Sequence, residues 1–167
     1  MFGRYSKLIV STIWLMATVC ALWWAIQQRA LEFDPENQLQ SPQWLTLARE
    51  VNNTPHSGPS LVIISDASCQ CAKVSEAHQT KVVKDALQAG IEVTQLQLTD
   101  GHREWLPAVP AAILFNNQND VIYAGPLSVG LACAAKDGII DTVIANYTRG
   151  YHSELLVSNA MGCYCRT

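Results

Sequence analysis

The sequence predicts an α/β domain joined to a membrane by one N-terminal helix. The first observation behind this prediction is an uncharged apolar stretch close to the N-terminus, and the second is the order of strand-like and helix-like segments that follows it. The chain has 167 residues, which leaves room for one domain beside a membrane segment. Its formal net charge is −3 with scattered Lys and Arg, so we expect no nucleic-acid partner.

The apolar stretch, residues 8–26, reads LIVSTIWLMATVCALWWAI. At about 1.5 Å per residue it is long enough to cross a hydrocarbon core of about 30 Å as a helix. Arg4 and Lys7 precede it, which predicts that residues 1–7 lie in the cytoplasm and the rest of the chain outside it. A cleaved signal peptide is the alternative, but Trp23 and Trp24 stand where small residues would mark a cleavage site.

Residues 27–59 are predicted to form a polar linker and one short amphipathic helix. Ser41 is a suitable N-cap and Pro42 suits the first helical position. Two prolines and a glycine in residues 54–59 end that helix before the main domain.

The main domain, residues 60–150, is predicted to begin with a βαβ unit. The run SLVIIS suits a buried strand, CQCAKVSEAHQTKVVKDALQAG a helix that ends at Gly90, and residues 91–98 alternate as a second strand. Two strands joined by such a crossover are parallel. Cys69 and Cys71 therefore stand where the first strand passes into the helix.

The second half of this domain is predicted to be ββα. AAILFNNQNDVIYAG reads as two strands around an Asn-rich turn, and DGIIDTVIANYTRG as a helix that ends at Gly150. The expected architecture is βαβ followed by ββα, with a four-stranded mixed sheet. Residues 151–167 then form a cysteine-containing tail.

SCQC at the start of the first helix and AVPAAILF at the third strand resemble the thioredoxin superfamily. With GPLSVGLAC and the terminal GCYC, the pattern resembles uncharacterised membrane-anchored thioredoxin-like proteins of Gram-negative bacteria. The resemblance implies a minimal thioredoxin-like fold, a cis-proline at Pro110 facing the redox cysteines, and a single-pass inner-membrane protein with its domain in the periplasm. The motif differs from the most familiar one in having a single residue between its cysteines.

Cys69, Cys71 and Pro110 are the predicted catalytic residues. The first turn of a helix offers free N–H groups that stabilise a thiolate, the reactive form of cysteine. We expect Cys69 to attack, because it lies nearer the loop and hence solvent, and Cys71 to resolve the mixed disulfide. The predicted function is a monomeric thiol–disulfide oxidoreductase or isomerase that acts on protein thiols or disulfides without a cofactor.

Two other classes of function remain open. Cys69 and Cys71 could hold copper(I), with a third ligand from His78 or from the tail. His78 is about 10 Å beyond Cys71 along the helix axis, so we expect it to be a solvated or core-edge residue. In a non-enzymatic binding module, disulfides would be structural, and the Trp105–Leu106 pair would be either a binding surface or a lid on the core.

Cys133, Cys163 and Cys165 are predicted to form one structural disulfide and one spare thiol. A bridge from Cys133 to the tail would close a loop that stabilises the fold by about 3 to 4 kcal/mol. It would also hold the apolar residues of the tail in place. The competing hypothesis is a relay, in which the tail pair exchanges disulfides with Cys69 and Cys71.

Overall fold

The first helix, α1, extends over Phe2–Gln27 in the computed structural model, which describes residues 2–27, 30–52, 58–130, 138–151 and 153–167. Its apolar stretch Tyr5–Ala25 has no buried residue. Ser11 and Thr12 both donate to the Leu8 carbonyl at 2.9 Å, so their hydroxyls are satisfied inside the helix. The helix includes the predicted span 8–26 and is apolar and long enough to be a membrane anchor or a signal sequence.

The rest of the chain forms five further helices and nine strands within the described residues, together with a 3₁₀ turn at Gln38–Gln40. The helices are α2 (Pro42–Val51), α3 (Gln70–Val74), α4 (Glu76–Gln88), α5 (Asp100–Arg103) and α6 (Ile139–Thr148). The strands are β1 (Leu31–Glu32), β2 (Ser60–Ser65), β3 (Glu92–Gln97), β4 (Ala108–Val109), β5 (Ala111–Phe115), β6 (Val121–Pro126), β7 (Leu155–Leu156), β8 (Met161–Gly162) and β9 (Cys165–Arg166).

The main sheet is mixed and has the strand order β3-β2-β5-β6-β7. Strand β2 is parallel to β3 and antiparallel to β5, and β5 and β6 form the expected hairpin. The prediction of four strands is wrong, because β7 of the tail adds a fifth, parallel to β6. The apolar pair Leu155–Leu156 is followed by Val157, whose N–H donates to the Ala124 carbonyl at 2.8 Å.

The helix predicted after the cysteine motif is divided into α3 and α4. Ser75 lies between them, fully buried, and its hydroxyl donates to the Ala72 carbonyl at 3.0 Å. This local bond competes with regular helix geometry, as serine side chains often do. The predicted helix ends are confirmed, since Gly90 and Gly150 have φ values of 74° and 81°, which favour glycine.

The segment predicted to be a linker belongs to the folded domain from Ala30 onward. Strand β1 pairs with β8, and the side chains of Phe33 and Leu39 are buried. The buried carboxylate of Asp34 accepts from the backbone N–H groups of Gln38 and Leu39 at 2.8 and 2.9 Å. The core therefore begins well before Ser60, because the tail supplies a partner that the linker lacks by itself.

Each face of the main sheet carries one hydrophobic cluster. Phe33, Trp44 and Trp105 pack on one face, and residues of α4 and α6 pack on the other. The ring of Trp105 lies edge-on to Trp44 at 6.3 Å between centroids, and Leu106 is also buried. The Trp105–Leu106 pair is thus a lid on the core and not an exposed binding surface.

Candidate functional site

The cysteine motif follows a tight turn at the end of β2. The Cys69 N–H donates to the Asp66 carbonyl at 3.0 Å, and the Asp66 carboxylate accepts from the hydroxyl and N–H of Ser68 at 2.7 and 2.8 Å. These bonds from Ser68, assisted by Arg103 at 3.4 Å, hold the pKa of Asp66 below its usual value. Cys69 has an extended backbone and occupies the N-cap position of α3, whereas Cys71 lies in the first turn of that helix.

Pro110 lies beside this motif, between β4 and β5. The Val109–Pro110 peptide bond is cis, as the resemblance implied. The Sγ atom of Cys69 is 4.0 Å from the Val109 carbonyl oxygen, a van der Waals contact because the sulfur carries no proton. The Pro110 carbonyl accepts from the Leu127 N–H at 3.0 Å, which joins this loop to the one that follows β6.

Both motif cysteines form disulfides with the tail. Cys69 is bonded to Cys165 and Cys71 to Cys163, with Cα atoms 6.0 and 5.5 Å apart. The predicted bridge from Cys133 to the tail is therefore not formed, since both tail sulfurs are already bonded; Cys133 itself lies outside the described residues. The pairing provides the direct link between the two C-x-C motifs that the relay hypothesis requires.

The tail is held in place by backbone pairing as well as by sulfur. Strand β9 is antiparallel to β4, with Cys165 opposite Val109, and the hydroxyl of Thr167 donates to the Leu106 carbonyl. The tail also accepts a bond from the Gly130 N–H, at 2.9 Å, through the Met161 carbonyl. The last strand, β9, is therefore hydrogen-bonded along the edge of β4, the strand that precedes Pro110.

The side chains of the GCYC segment alternate between two directions. Cys163 and Cys165 bond the motif, while the intervening Tyr164 is buried and packs edge-on against Phe33, with centroids 5.2 Å apart. A Cβ atom on Gly162 would come within 2.6 Å of the Tyr164 ring, so a glycine is needed there. This period of two is that of a strand, and it brings both tail sulfurs to one side.

The tail leaves the motif cysteines almost without contact to solvent. Cys69 is 3% exposed and Cys71 is 9% exposed, whereas both tail cysteines are half-buried. The expectation that Cys69 lies nearer solvent than Cys71 is wrong for this disulfide-bonded form. The tail cysteine is therefore the more exposed residue of each disulfide.

Three of the four bonded sulfurs are clustered. The Sγ atoms of Cys69, Cys71 and Cys165, hereafter the sulfur trio, all lie within 4.8 Å of one another. The two disulfides are thus neighbours and not separate staples. Of the cysteines that the structure describes, Cys20 alone is unpaired, and it lies exposed on α1.

His78 lies outside the sulfur trio and is buried, contrary to the expectation of a solvated or core-edge residue. Its Nδ1 atom is 2.6 Å from the Ser128 hydroxyl and its Nε2 atom 2.6 Å from the Asp141 carboxylate. Lys81 also donates to Asp141, at 2.6 Å. Both imidazole nitrogens are therefore already engaged, and His78 does not serve as the third metal ligand considered above.

The ionisation of Asp141 is determined by these contacts. Burial alone would raise the pKa of Asp141, but the bonds from Lys81, His78 and the Gly138 N–H outweigh it and lower that pKa. The pKa of Lys81 is raised, mainly by its hydrogen bond to Asp141. The network connects α4, α6 and the loop that reaches the tail at Gly130.

The sequence contains a pattern that would have indicated the disulfide pairing. Two C-x-C motifs have the same spacing, and residues i and i+2 of a strand point to one side. If the tail is read as a strand and not as an irregular end, its two sulfurs face a second pair at matching distance. The odd count of cysteines beyond α1 pointed instead to Cys133.

No curated protein matches the chain in sequence. In fold it is similar to the crystal structure of a hypothetical protein from Sinorhizobium meliloti 1021, with a TM-score of 0.50 and 12% sequence identity. That similarity covers 73% of this chain and 82% of the other, and at this identity it concerns the fold alone. A family profile matches residues 36–167, which include both cysteine motifs and begin inside the segment that pairs with the tail. The chain therefore belongs to the family described as a domain of unknown function, DUF6436.

Proposed function

We propose that the protein is a membrane-anchored, thioredoxin-like thiol–disulfide oxidoreductase whose domain works in the bacterial periplasm. Its two C-x-C motifs exchange disulfides with each other and with protein thiols. Cys69 and Cys71 form the buried pair of this system. Cys163 and Cys165 form the pair that meets external partners.

The order of the sheet supports the thioredoxin-like part of the proposal. The first strand of the main sheet, β2, lies between a parallel second strand and an antiparallel third, and the fourth strand completes a hairpin. This is the βαβ-ββα arrangement that the sequence resemblance implies. Cys69 and Cys71 lie at the strand-to-helix junction of that unit, beside Pro110.

The observation that carries the proposal is the sulfur trio. Exchange needs an attacking thiolate next to a disulfide, and the Cys71 sulfur lies within 4.8 Å of both sulfurs of the Cys69–Cys165 bond. Two purely structural disulfides gain little from such proximity, because once one of them is formed the other closes only a small additional ring. The arrangement suits disulfides that interconvert.

The first step uses an external dithiol. One thiolate of the partner attacks the Sγ atom of Cys165, the S–S bond to Cys69 breaks, and Cys69 leaves as a thiolate that takes up a proton. The second thiolate of the partner then attacks its own sulfur in the mixed disulfide and releases Cys165. The partner loses two electrons and two protons, and the protein gains both.

The second step is internal. The Cys69 thiol loses its proton, and the thiolate attacks the Sγ atom of Cys71 and forms a Cys69–Cys71 bond. The Cys163 thiolate is released and takes up a proton, with no net change in oxidation state. Such a bond at the start of a helix is strained and easily reduced, which favours passing it on over keeping it. Return to the two-disulfide form requires an oxidant of the disulfide class, which accepts the electrons in the reverse exchange.

The purely structural function is the main competitor, and the burial of Cys69 supports it. A bridge that closes a loop of some ninety residues stabilises a small domain. Reactivity of the Cys165 sulfur separates the two functions, because a structural bridge transfers nothing to an external thiol.

The test uses the full chain in detergent and a reduced, unstructured synthetic peptide with two cysteines. We expect the disulfide-bonded protein to oxidise a first peptide equivalent while Cys163 and Cys165 become alkylatable, and a second equivalent while Cys69 and Cys71 become alkylatable as well. A peptide with one cysteine should be trapped on the tail. The rate and the trapped adduct are read by mass spectrometry.

Cys20→Ser is the matched control, because Cys20 lies on α1 outside the sulfur trio, and it should behave like the wild type. The double variant Cys69→Ser, Cys71→Ser should oxidise no peptide through the site. Failure of the wild-type protein to oxidise the peptide, or full activity of the double variant, would refute the proposed function.

A further inference from the structure

We propose that the fully reduced protein binds one copper(I) ion through the thiolates of Cys69, Cys71 and Cys165. This goes beyond disulfide exchange, since it requires only that both disulfides can be reduced. The ligand class follows from the sulfur trio, whose three atoms come from two separate disulfides yet form one group. The structure as described is the oxidised form, in which these sulfurs are bonded in pairs.

The spacing of the trio is close to that of a metal site. Three sulfurs in a plane around an ion, each at the metal–thiolate distance of about 2.3 Å, lie about 4 Å apart. In the oxidised form the Cys69 and Cys165 sulfurs are bonded, about 2 Å apart, and the Cys71 sulfur lies within 4.8 Å of both, so the bonded pair must separate by about 2 Å to complete the site. Once the S–S bonds are broken, rotation of the cysteine side chains supplies such a shift.

The surroundings favour a soft ion with few ligands. Thiolates select copper(I) or zinc over hard cations, and a trio of sulfurs suits the low coordination numbers of copper(I), whereas zinc takes four ligands. Cys69 and Cys71 are almost fully buried, and Val109 beside them is buried as well. Such a site shields the ion from water and from oxidation to copper(II).

The backbone holds the ligands together after reduction. Cys165 remains opposite Val109 through the β4–β9 pairing, and Cys69 and Cys71 are fixed by the turn at Asp66 and by the start of α3. A preorganised site loses less conformational entropy on binding than one built from a free tail. Cys163, released from Cys71, stays next to the site as a fourth thiol.

Reduction of the two disulfides precedes metal binding. Two equivalents of an external dithiol reduce both disulfides, which transfers four electrons and four protons to the protein and leaves two oxidised dithiols. Copper(I) then displaces the protons of the three ligating thiols and keeps its oxidation state. Reoxidation of the cysteines by a disulfide-class oxidant would release the ion, so binding is controlled by the redox state.

The experiment uses the full chain in detergent, reduced under anaerobic conditions and freed of reductant. Copper(I) is supplied as its acetonitrile complex in competition with bicinchoninate, and X-ray absorption reports the number of sulfur ligands. We expect one ion per chain with three sulfurs at a single distance. The disulfide-bonded protein should take up no copper(I).

The variants separate this site from adventitious thiol binding. Cys20→Ser should bind copper(I) with unchanged affinity. Cys165→Ser should bind it at least tenfold more weakly, because only the Cys69 and Cys71 sulfurs of the trio remain. Cys163→Ser should change affinity by less than threefold. Equal losses in Cys163→Ser and Cys165→Ser, or one zinc ion bound through four sulfurs in preference to copper(I), would overturn the proposal.

The copper(I) experiment can succeed or fail independently of the peptide-oxidation experiment. Peptide oxidation is measured on the disulfide-bonded form with a chelator present, and metal binding on the reduced form without substrate. A protein that exchanges disulfides but does not compete with bicinchoninate would refute only the copper(I) site.

Discussion

Asp141 is the residue through which the buried polar network is held together. Its side chain is 9% exposed, yet it accepts from His78, Lys81 and the Gly138 N–H at 2.6 Å each. A buried carboxylate is stable only when such donors replace water. The network fixes His78 on Ser128, in the loop that reaches the tail at Gly130.

We predict that Asp141→Ala lowers the free energy of unfolding at pH 7 by about 2 to 4 kcal/mol, since it leaves the His78 ring and the Gly138 N–H without their acceptor. Urea unfolding of the full chain in detergent measures the change. Asp85→Ala is the matched control, because Asp85 is a partly exposed partner of the same Lys81. That control should lose no more than about 0.5 kcal/mol.

The loss in Asp141→Ala should also depend on pH. Because the folded pKa of Asp141 lies below its unfolded value of about 3.9, its charge stabilises the fold above that pH and stops doing so as the pH falls through the folded pKa. The difference between wild type and variant should therefore narrow from pH 7 to pH 3. If wild type and Asp141→Ala differ in unfolding free energy by the same amount at pH 7 and pH 3, the charge of Asp141 does not contribute to stability.

At the scale of elements, the tail is what closes the domain. Its three short strands pair with β1, β4 and β6, three places that are far apart in sequence. Strands of two residues are weak by themselves, so the disulfides supply much of the tail's attachment. The two bridges are nested, with sequence separations of 96 and 92.

Nested bridges should be strongly non-additive. With Cys71–Cys163 intact, the Cys69–Cys165 bond closes only a small ring of residues 69–71 and 163–165, so removing it should lower the free energy of unfolding by about 2 kcal/mol. Removing both bridges also opens the long loop and should lower it by about 7 kcal/mol. Urea unfolding without reductant compares the two double Cys→Ala variants with the fourfold one.

Cys20→Ser should leave that unfolding free energy unchanged, since Cys20 takes part in neither bridge. A fourfold variant that loses only the sum of the two double variants would mean that the long loop contributes little. The tail would then be held by its backbone pairing and by the packing of Tyr164.

At the scale of the whole molecule, α1 exposes its apolar residues, whereas the domain buries most of its own. The apolar residues within Tyr5–Ala25 are not buried, while the apolar residues of the domain are gathered on the two faces of the sheet. An exposed apolar surface of this length requires lipid or removal of the segment. Disulfides form and persist in oxidising compartments, so we predict that the domain lies in one.

We predict that a reporter fused after Thr167 is active only when it works outside the cytoplasm, because Arg4 and Lys7 before the apolar run favour a cytoplasmic N-terminus. The same reporter fused before Met1 is the control and should give the opposite result. Intact mass of the membrane fraction decides between an anchor and a cleaved signal sequence. Activity of a cytoplasm-only reporter after Thr167 would contradict the prediction.

The sequence by itself determined the parts of the protein whose causes are local. The uncharged run after Lys7, the strand at Ser60–Ser65, the Asn-rich turn of the hairpin and the glycines that end α4 and α6 each follow from neighbouring residues. These features depend on composition and backbone preference within a few positions. The same local order placed Cys69 and Cys71 at a strand-to-helix junction.

Only the tertiary structure decided what the chain ends do. Strand β7 exists because β6 offers it a free edge, β1 exists because β8 lies opposite, and Phe33 is buried because Tyr164 packs on it. Cys165 was expected to be free or bonded to Cys133, but its partner is Cys69, at a sequence separation of 96. This pairing depends on the register between β4 and β9. Neither segment shows the pattern of a strand in its own sequence. The conformational entropy that each loses on folding is offset only by contacts with the other segment.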